Sequence, residues 1–259
     1  MTSSITADQA ARLLSSFSSF LTVAIHSLLY HRALYPTTSF LTSRAYNLSV
    51  HQSRHPGVCT WVTDAVAAVT AQIRTGTARA VVLSIHAPQS MTVLERWVFD
   101  LQSFPASWGD ATDEREGGGG GDLHAAPVID QLSVGPSAVG AAPVVMEEVE
   151  DQLAEGEDDL NWTDVNEALR GALQRLAYAA EKSPPLPARC TFTLAMELRE
   201  ESLAPIGHPQ PWIPAEHKDG SEPRQRDLAT APIRSVRAGP LFFECWLEKK
   251  YPTQDRKSA

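Results

Sequence analysis

The stretch from Thr6 to Pro36 sets the strongest limit on how this chain can fold. Thr6-Ala7-Asp8-Gln9 has the form of a capping box: the Thr hydroxyl can accept from the first helical turn while Gln, three residues on, reaches back. After this start, Leu13, Phe17, Phe20, Leu21, Ala24, Ile25, Leu28 and Leu29 cover more than one stripe of a helix. A helix apolar over that much of its circumference has to be covered on most sides by the rest of the chain. It ends before Pro36, because a residue preceding proline is driven out of the α region. Ser15, Ser16, Ser18, Ser19 and His26 interrupt the run and no basic segment precedes it, so a buried helix is expected rather than a signal peptide or a membrane span. His26 is expected as a hydrogen-bonded core residue.

Pro56 suits a first helical position, and Val58, Val62, Ala65, Val66, Val69 and Ile73 recur at three and four until Gly76. Two strands follow, Ala78 to His86 and Val93 to Leu101, joined around Pro88. Asn161 can cap a third helix whose stripe of Val165, Leu169, Ala172, Leu173, Leu176 and Ala180 is narrow and rich in alanine. The clearest strand is "RCTFTLAMELR", with Cys190, Phe192, Leu194, Met196 and Leu198 on one face. A proline-rich polar tail then leads to a last strand, "LFFECWLEKK", where Phe243, Cys245 and Leu247 oppose Glu244 and Trp246. Helices and strands that do not alternate strictly argue for an α+β fold, a mostly antiparallel sheet backed by three helices.

Between residues 103 and 160 the pattern gives way to five glycines, Gly117 to Gly121, and the acidic run Glu147 to Asp159. This reads as a disordered insertion and solubilising spacer within a single domain. No Gly-Lys-Ser/Thr follows the glycines, so they do not read as a phosphate loop. The net charge is -9, but the eight carboxylates of the acidic run account for nearly all of it. A nearly neutral body lacks the clustered Lys and Arg that strong direct nucleic-acid binding requires.

The residues also fail to assemble familiar chemistry. Cys59, Cys190 and Cys245 are odd in number and widely spaced, which suggests neither a disulfide framework nor a zinc site. His51 and His55 stand four apart, but in a segment before Pro56 that is not expected to be helical. No G-x-S-x-G is present. No metal, no cofactor and no catalytic activity are therefore expected, and the alternative of an enzyme with an unrecognised site has no motif behind it.

The ordered blocks "VAIHSLLYHRALYP", "RAYNLSVHQSRHP", "RAVVLSIH" with "ERWVFDLQ", "ARCTFTLAMELRE" and "PWIPAE" resemble the HORMA domain, and more narrowly the HORMA accessory subunits of translesion DNA polymerase zeta. The resemblance covers Ala10 to about Gln102 and Thr163 to Lys250. It implies a HORMA fold whose residues 200–250 form a "safety belt" and C-terminal hairpin. In such proteins the belt closes over an extended partner peptide that pairs with the sheet edge, a form of β-augmentation. By pattern alone Trp212 either fills a gap under a long loop or anchors a belt, and the resemblance implies the anchor. It likewise implies that Trp61, Ile213 and Tyr35 contact a peptide of the polymerase zeta catalytic subunit. Ile233, Glu244 and Trp246 would meet the C-terminal domain of the Rev-one translesion polymerase, although this family commonly has an amide and a tyrosine at the last two positions. Arg170 would serve a dimer of HORMA domains. The implied setting is the nucleus, with no membrane contact and no direct strong nucleic-acid binding. The alternative within the fold is a spindle-checkpoint, meiotic-axis or autophagy adaptor that clamps a different motif.

Overall fold

A computed structural model describes residues 6–105, 108, 160–199 and 228–250. The expected first helix, α1, spans Ala7–His31. Thr6 caps it with both halves of the capping box: the Thr6 hydroxyl accepts from Gln9 N–H at 3.2 Å, and Gln9 Oε1 accepts from Thr6 N–H at 3.1 Å. Thirteen of its residues are buried, His26 and Ser27 among them. At about 1.5–3 kcal/mol for each large apolar side chain removed from water, this burial outweighs the weak helix propensity of its serines. Phe17 packs edge-on against Phe104 at 5.1 Å and Phe243 at 5.3 Å, while Phe20 meets Phe99 at 6.1 Å.

α2 (Pro56–Arg74) and α3 (Trp162–Lys182) both flank α1. Ser18 and Thr70 share a 2.7 Å hydrogen bond between α1 and α2, and the Arg12 guanidinium lies 4.0 Å from the Trp162 ring centroid at the head of α3. α3 begins, as expected, at Asn161, whose side chain accepts from Thr163 N–H and Asp164 N–H. Beneath the helices lies a five-stranded sheet of order β5-β3-β4-β7-β6, with every neighbouring pair antiparallel. Its strands are β3 (Ala78–His86), β4 (Val93–Asp100), β5 (Thr191–Leu198), β6 (Leu228–Ala238) and β7 (Leu241–Lys250). The α+β class, the three helices and the antiparallel sheet thus stand as read from the residues.

Two features differ from that reading. A separate hairpin, β1 (Phe40–Ala45) with β2 (Leu48–Ser53), covers α1 where no strand was expected. Neither strand alternates cleanly in burial, and its turn uses Tyr46 at φ 51 and Asn47 at φ 54 rather than the Asn-Gly pair that announces such turns. The Tyr46 hydroxyl donates to Ser16 O at 3.1 Å, so tertiary contact holds the strained residue in place. The second feature is β6, an eleven-residue strand inside what the residues alone read as a polar tail, and with β7 it forms the C-terminal hairpin that the resemblance implied. Pro232 is accommodated because β6 is an edge strand and the register shifts between Pro232 and Arg234. β6 turns into β7 through Gly239 at φ 58, where the Leu160 side chain leaves no room for a Cβ. Nearly all of the expected insertion, 103–160, lies outside the described residues.

His26 bears out the expectation of a core histidine. It is buried, and its Nδ1 faces Ser53 N–H at 3.5 Å as an acceptor. Burial lowers its pKa to about 4. The unfolded chain protonates this ring near pH 6.5, whereas the folded state keeps it neutral, so its contribution is intact above pH 6.5 and declines as pH falls towards 4. Urea unfolding should lose about 3 kcal/mol over that window from this group, and His26→Gln should remove that part of the slope even if it is weaker at neutral pH.

α1 ends in a Schellman arrangement, with Leu34 N–H to Leu29 O at 3.1 Å and Ala33 N–H to Tyr30 O at 3.0 Å. Ala33 occupies the left-handed position at φ 51, where glycine carries no Cβ penalty. Ala33→Gly should therefore raise unfolding free energy by about 1 kcal/mol, measurable as a higher midpoint in urea.

Candidate functional site

The sheet has two edges, and they differ in how they treat a potential neighbour. β6 carries Pro232, the irregularity beside Ile233, and α3 packed along it, with Arg234 of β6 lying over Gly171 of α3. These are the devices that stop an edge from recruiting another strand. β5 has neither proline nor irregularity of its own, and Glu197 is its one charged residue. It pairs with β3, from Leu198 opposite Ala78 to Thr191 opposite His86, and among the described residues nothing pairs with its other side.

The inward face of β5 is also incompletely covered. Phe192, Leu194, Met196 and Leu198 are half-buried, whereas Val81, Leu83 and Ile85 of the adjacent β3 are fully buried. Over Phe192 stand two of the residues picked out from the sequence. Trp61 of α2 meets it edge-on at 5.2 Å between ring centroids, and Tyr35 does so at 6.3 Å. All three rings are partly buried. Together they form an aromatic rim on an open strand, suited to gripping side chains of an added strand while its backbone is held by main-chain hydrogen bonds.

Local structure explains how the rim is placed. Trp61 rides on the second turn of α2, whose start is set by Pro56 and by the Cys59 thiol donating to Ser53 O at 3.1 Å. Tyr35 follows the Schellman turn of α1. Phe192 is fixed opposite Ile85, and the path into β5 is held by Arg32. The buried Arg32 guanidinium donates from Nε to Glu95 Oε2 at 3.0 Å and from Nη2 to Glu95 Oε1 at 2.7 Å. Its remaining bonds go to the carbonyls of Ala180 at 3.0 Å, Ser183 at 3.2 Å and Pro184 at 2.6 Å. Trp97 Nε1 donates to Glu95 as well, at 3.2 Å. Arg32 thus caps the carboxyl end of α3 and anchors the chain that enters β5 through Arg189 at φ 65. The alternation that turns Val93 and Trp97 inward turns Glu95 inward too, so a buried carboxylate in need of a partner could have been read from the sequence.

The other residues from the sequence analysis are placed as follows. Trp212 and Ile213 lie outside the described residues. Glu244 is exposed on β7, and Trp246 is half-buried rather than freely exposed, because it packs on Ala80, Val82 and Val98 and its Nε1 donates to Glu248 at 2.9 Å. Ile233 does not share their face: the irregularity at Pro232 turns it towards the main core. Arg170 lies on α3 and, instead of standing unpaired, bonds Glu167 at 3.1 Å, a partly exposed ion pair worth little by itself.

Reactive chemistry is disfavoured at the cysteines. Burial comes first in raising the Cys59, Cys190 and Cys245 thiols above their ordinary range, assisted by Glu95 at Cys190 and Glu244 at Cys245. Thiols so shifted are poor nucleophiles at neutral pH. Among the described residues no cluster of three or more His, Cys, Asp or Glu side chains is placed to hold a metal ion.

If Arg32 and Glu95 fix the entry to β5, their loss should be costly. Glu95→Gln should destabilise the fold by about 3–5 kcal/mol, since it leaves a buried cation without its counter-charge. The pair Arg32→Met with Glu95→Leu should not recover that loss in denaturant titration, because the α3 carbonyls then have no donor.

Comparison with known proteins speaks to the family and the fold. The sequence profile of the HORMA domain matches residues 14–240. The chain is 29% identical over 234 residues to the DNA polymerase zeta processivity subunit of Schizosaccharomyces pombe, covering 90% of this chain and 91% of that one. It is 33% identical over 238 residues to the mitotic spindle assembly checkpoint protein MAD2B of Gallus gallus, covering 90% and 89%. Among solved structures, a chain of a mitotic checkpoint complex superposes with a TM-score of 0.60 at 17% identity, covering 92% of this chain and 98% of that one. C. elegans HTP-2 bound to an HTP-3 closure motif gives 0.56 at 12% identity, covering 95% and 89%. At such identities these structures speak for the shared fold alone.

Proposed function

The chain belongs to the HORMA domain family, and from that premise we propose that it is a non-catalytic adaptor that holds an extended peptide of a partner protein as an added strand on β5. The observation that carries this reading is the contrast between the two sheet edges: β6 is blunted, whereas among the described residues β5 is unpaired beneath the rim of Tyr35, Trp61 and Phe192.

β5 and β6 are consecutive strands yet form opposite edges of the sheet. Crossing five strands at about 4.8 Å spacing takes roughly 20 Å. The 29 residues 199–227 that join them can reach about 95 Å when extended. That surplus supports a belt long enough to pass around a guest, with Trp212 and Ile213 among its contacts. Its prolines suit the task, since fixed φ angles lower the entropy lost when such a segment closes.

The partner we propose is the catalytic subunit of DNA polymerase zeta, in the nucleus, during synthesis across damaged DNA; relatives named as processivity subunits of that polymerase in Schizosaccharomyces pombe and Arabidopsis thaliana support it. The β7 residues Glu244 and Trp246 are then the surface for the Rev-one C-terminal domain, without Ile233, which faces the main core, and Arg170 is the contact between HORMA domains. A second reading, a checkpoint adaptor clamping a different peptide, is favoured by relatives named for the spindle checkpoint.

Calorimetric titration with peptides from the polymerase subunit and from a checkpoint partner separates the two readings. Trp212→Ala and Trp61→Ala should each weaken capture of the correct peptide by roughly 30-fold or more, the scale of an interface hot spot, with the circular dichroism spectrum unchanged. Unaltered affinity in both variants would defeat the clamp.

A further inference from the structure

A concave site of another kind lies away from the β5 edge. α1, β2 and α3 enclose a cleft of about 240 Å³, below the roughly 300 Å³ at which pockets begin to hold drug-sized molecules. It has room for one long side chain. Leu48, Val50, Leu173 and Ala177 supply apolar wall, and the exposed Tyr178 and Glu181 stand on the solvent side.

Two histidines complete the lining. His51 stacks on Tyr30, with centroids 3.5 Å apart and planes 17° from parallel, while His31 stands edge-on to Tyr30 at 5.1 Å and to His51 at 5.9 Å. Burial holds both imidazoles below their ordinary pKa; His51 pushes His31 further down and Glu181 opposes that shift. Both rings are therefore neutral at neutral pH. Glu181 is then the one formal charge among the described residues that line the cleft. Beside it, the Lys182 ammonium lies 5.6 Å from the Tyr178 ring centroid, so this ring already takes a cation from within the chain.

Apolar walls leading to flat rings and a single carboxylate are complementary to one kind of side chain. We propose that this cleft receives one arginine of a protein partner, its aliphatic stem against Leu48, Val50 and Leu173, its guanidinium stacked on the rings and bonded to Glu181. Arginine fits better than lysine because a planar, weakly hydrated guanidinium stacks and donates to a carboxylate at the same time. The site does not depend on the β5 reading, as it lies on different elements.

The test is NMR of the full chain with labelled histidines, titrated with N-acetyl-arginine amide and with the neutral isostere N-acetyl-citrulline amide. The arginine probe should shift the His31 and His51 ring signals saturably, and the citrulline probe should bind at least about tenfold more weakly for want of charge-assisted hydrogen bonds. Glu181→Gln should impose a similar loss without changing the melting temperature. Acidification should weaken binding only at a pH below the ordinary imidazole range, as His31 and His51, both held below their usual pKa, take up protons beside Glu181, Tyr30, Tyr178 and Lys182. Absence of saturation, equal binding of citrulline, or an unaffected Glu181→Gln variant would overturn the proposal. Ring shifts that appear without any probe as protein concentration rises would assign the arginine to a second copy and overturn the assignment to a different partner.

Discussion

One guanidinium ties together the parts of this molecule that matter for its edge. Arg32 sits where α1 ends, and it joins Glu95 of β4 to three carbonyls at the end of α3. Removing two charges from water costs several kcal/mol per ion, which only dense hydrogen bonding offsets. Here both carboxylate oxygens and both terminal nitrogens of the guanidinium are engaged. The consequence is positional: the end of α3, the turn into β5 and the start of the segment bearing Tyr35 are all referred to one point. An apolar substitute could fill the same volume, but it could not terminate α3.

Around that point the core is built from aromatic rings rather than from ion pairs. Phe17 and Phe20 of α1 reach Phe99 of β4, Phe104 and Phe243 of β7, so the helix that needed covering is covered by the sheet through interlocking rings. α2, α3 and the β1–β2 hairpin close its other sides. β7 therefore has one face committed to the core, and its other face carries Trp246 over a small apolar patch of β3 and β4.

How much of this was legible depends on the range of the forces involved. Where local preference and burial agree, the residues sufficed: the Thr6 capping box, Pro56 at the head of α2, Asn161 before α3 and the alternation of β5 each appear where read. β1 and β2 escaped because their burial is irregular and their turn is sustained by a contact thirty residues away, from Tyr46 to Ser16. β6 lies in a stretch whose residues read only as proline-rich and polar, and it was expected solely as an arm of the C-terminal hairpin that the resemblance implied; a proline is tolerated there because β6 is an edge. At the candidate site, Trp61 and Tyr35 were found through resemblance. Phe192, which brings them together, was visible only as one member of an alternating face, since no local signal marks a strand as an edge. The grouping of Ile233 with Trp246 shows the same limit: a single irregularity reverses which side a residue faces, and nothing short of the register reveals it.

Among the described residues the fold thus keeps one edge closed and leaves the other unpaired, and an unpaired edge is a hazard unless something is meant to occupy it. Amide hydrogen exchange along β5, measured in the full chain with and without its captured peptide, tests that claim most directly. The amides of Thr191–Leu198 that β3 does not use should become strongly protected on binding. Exchange that stays fast along β5 while protection appears on another surface would contradict the account.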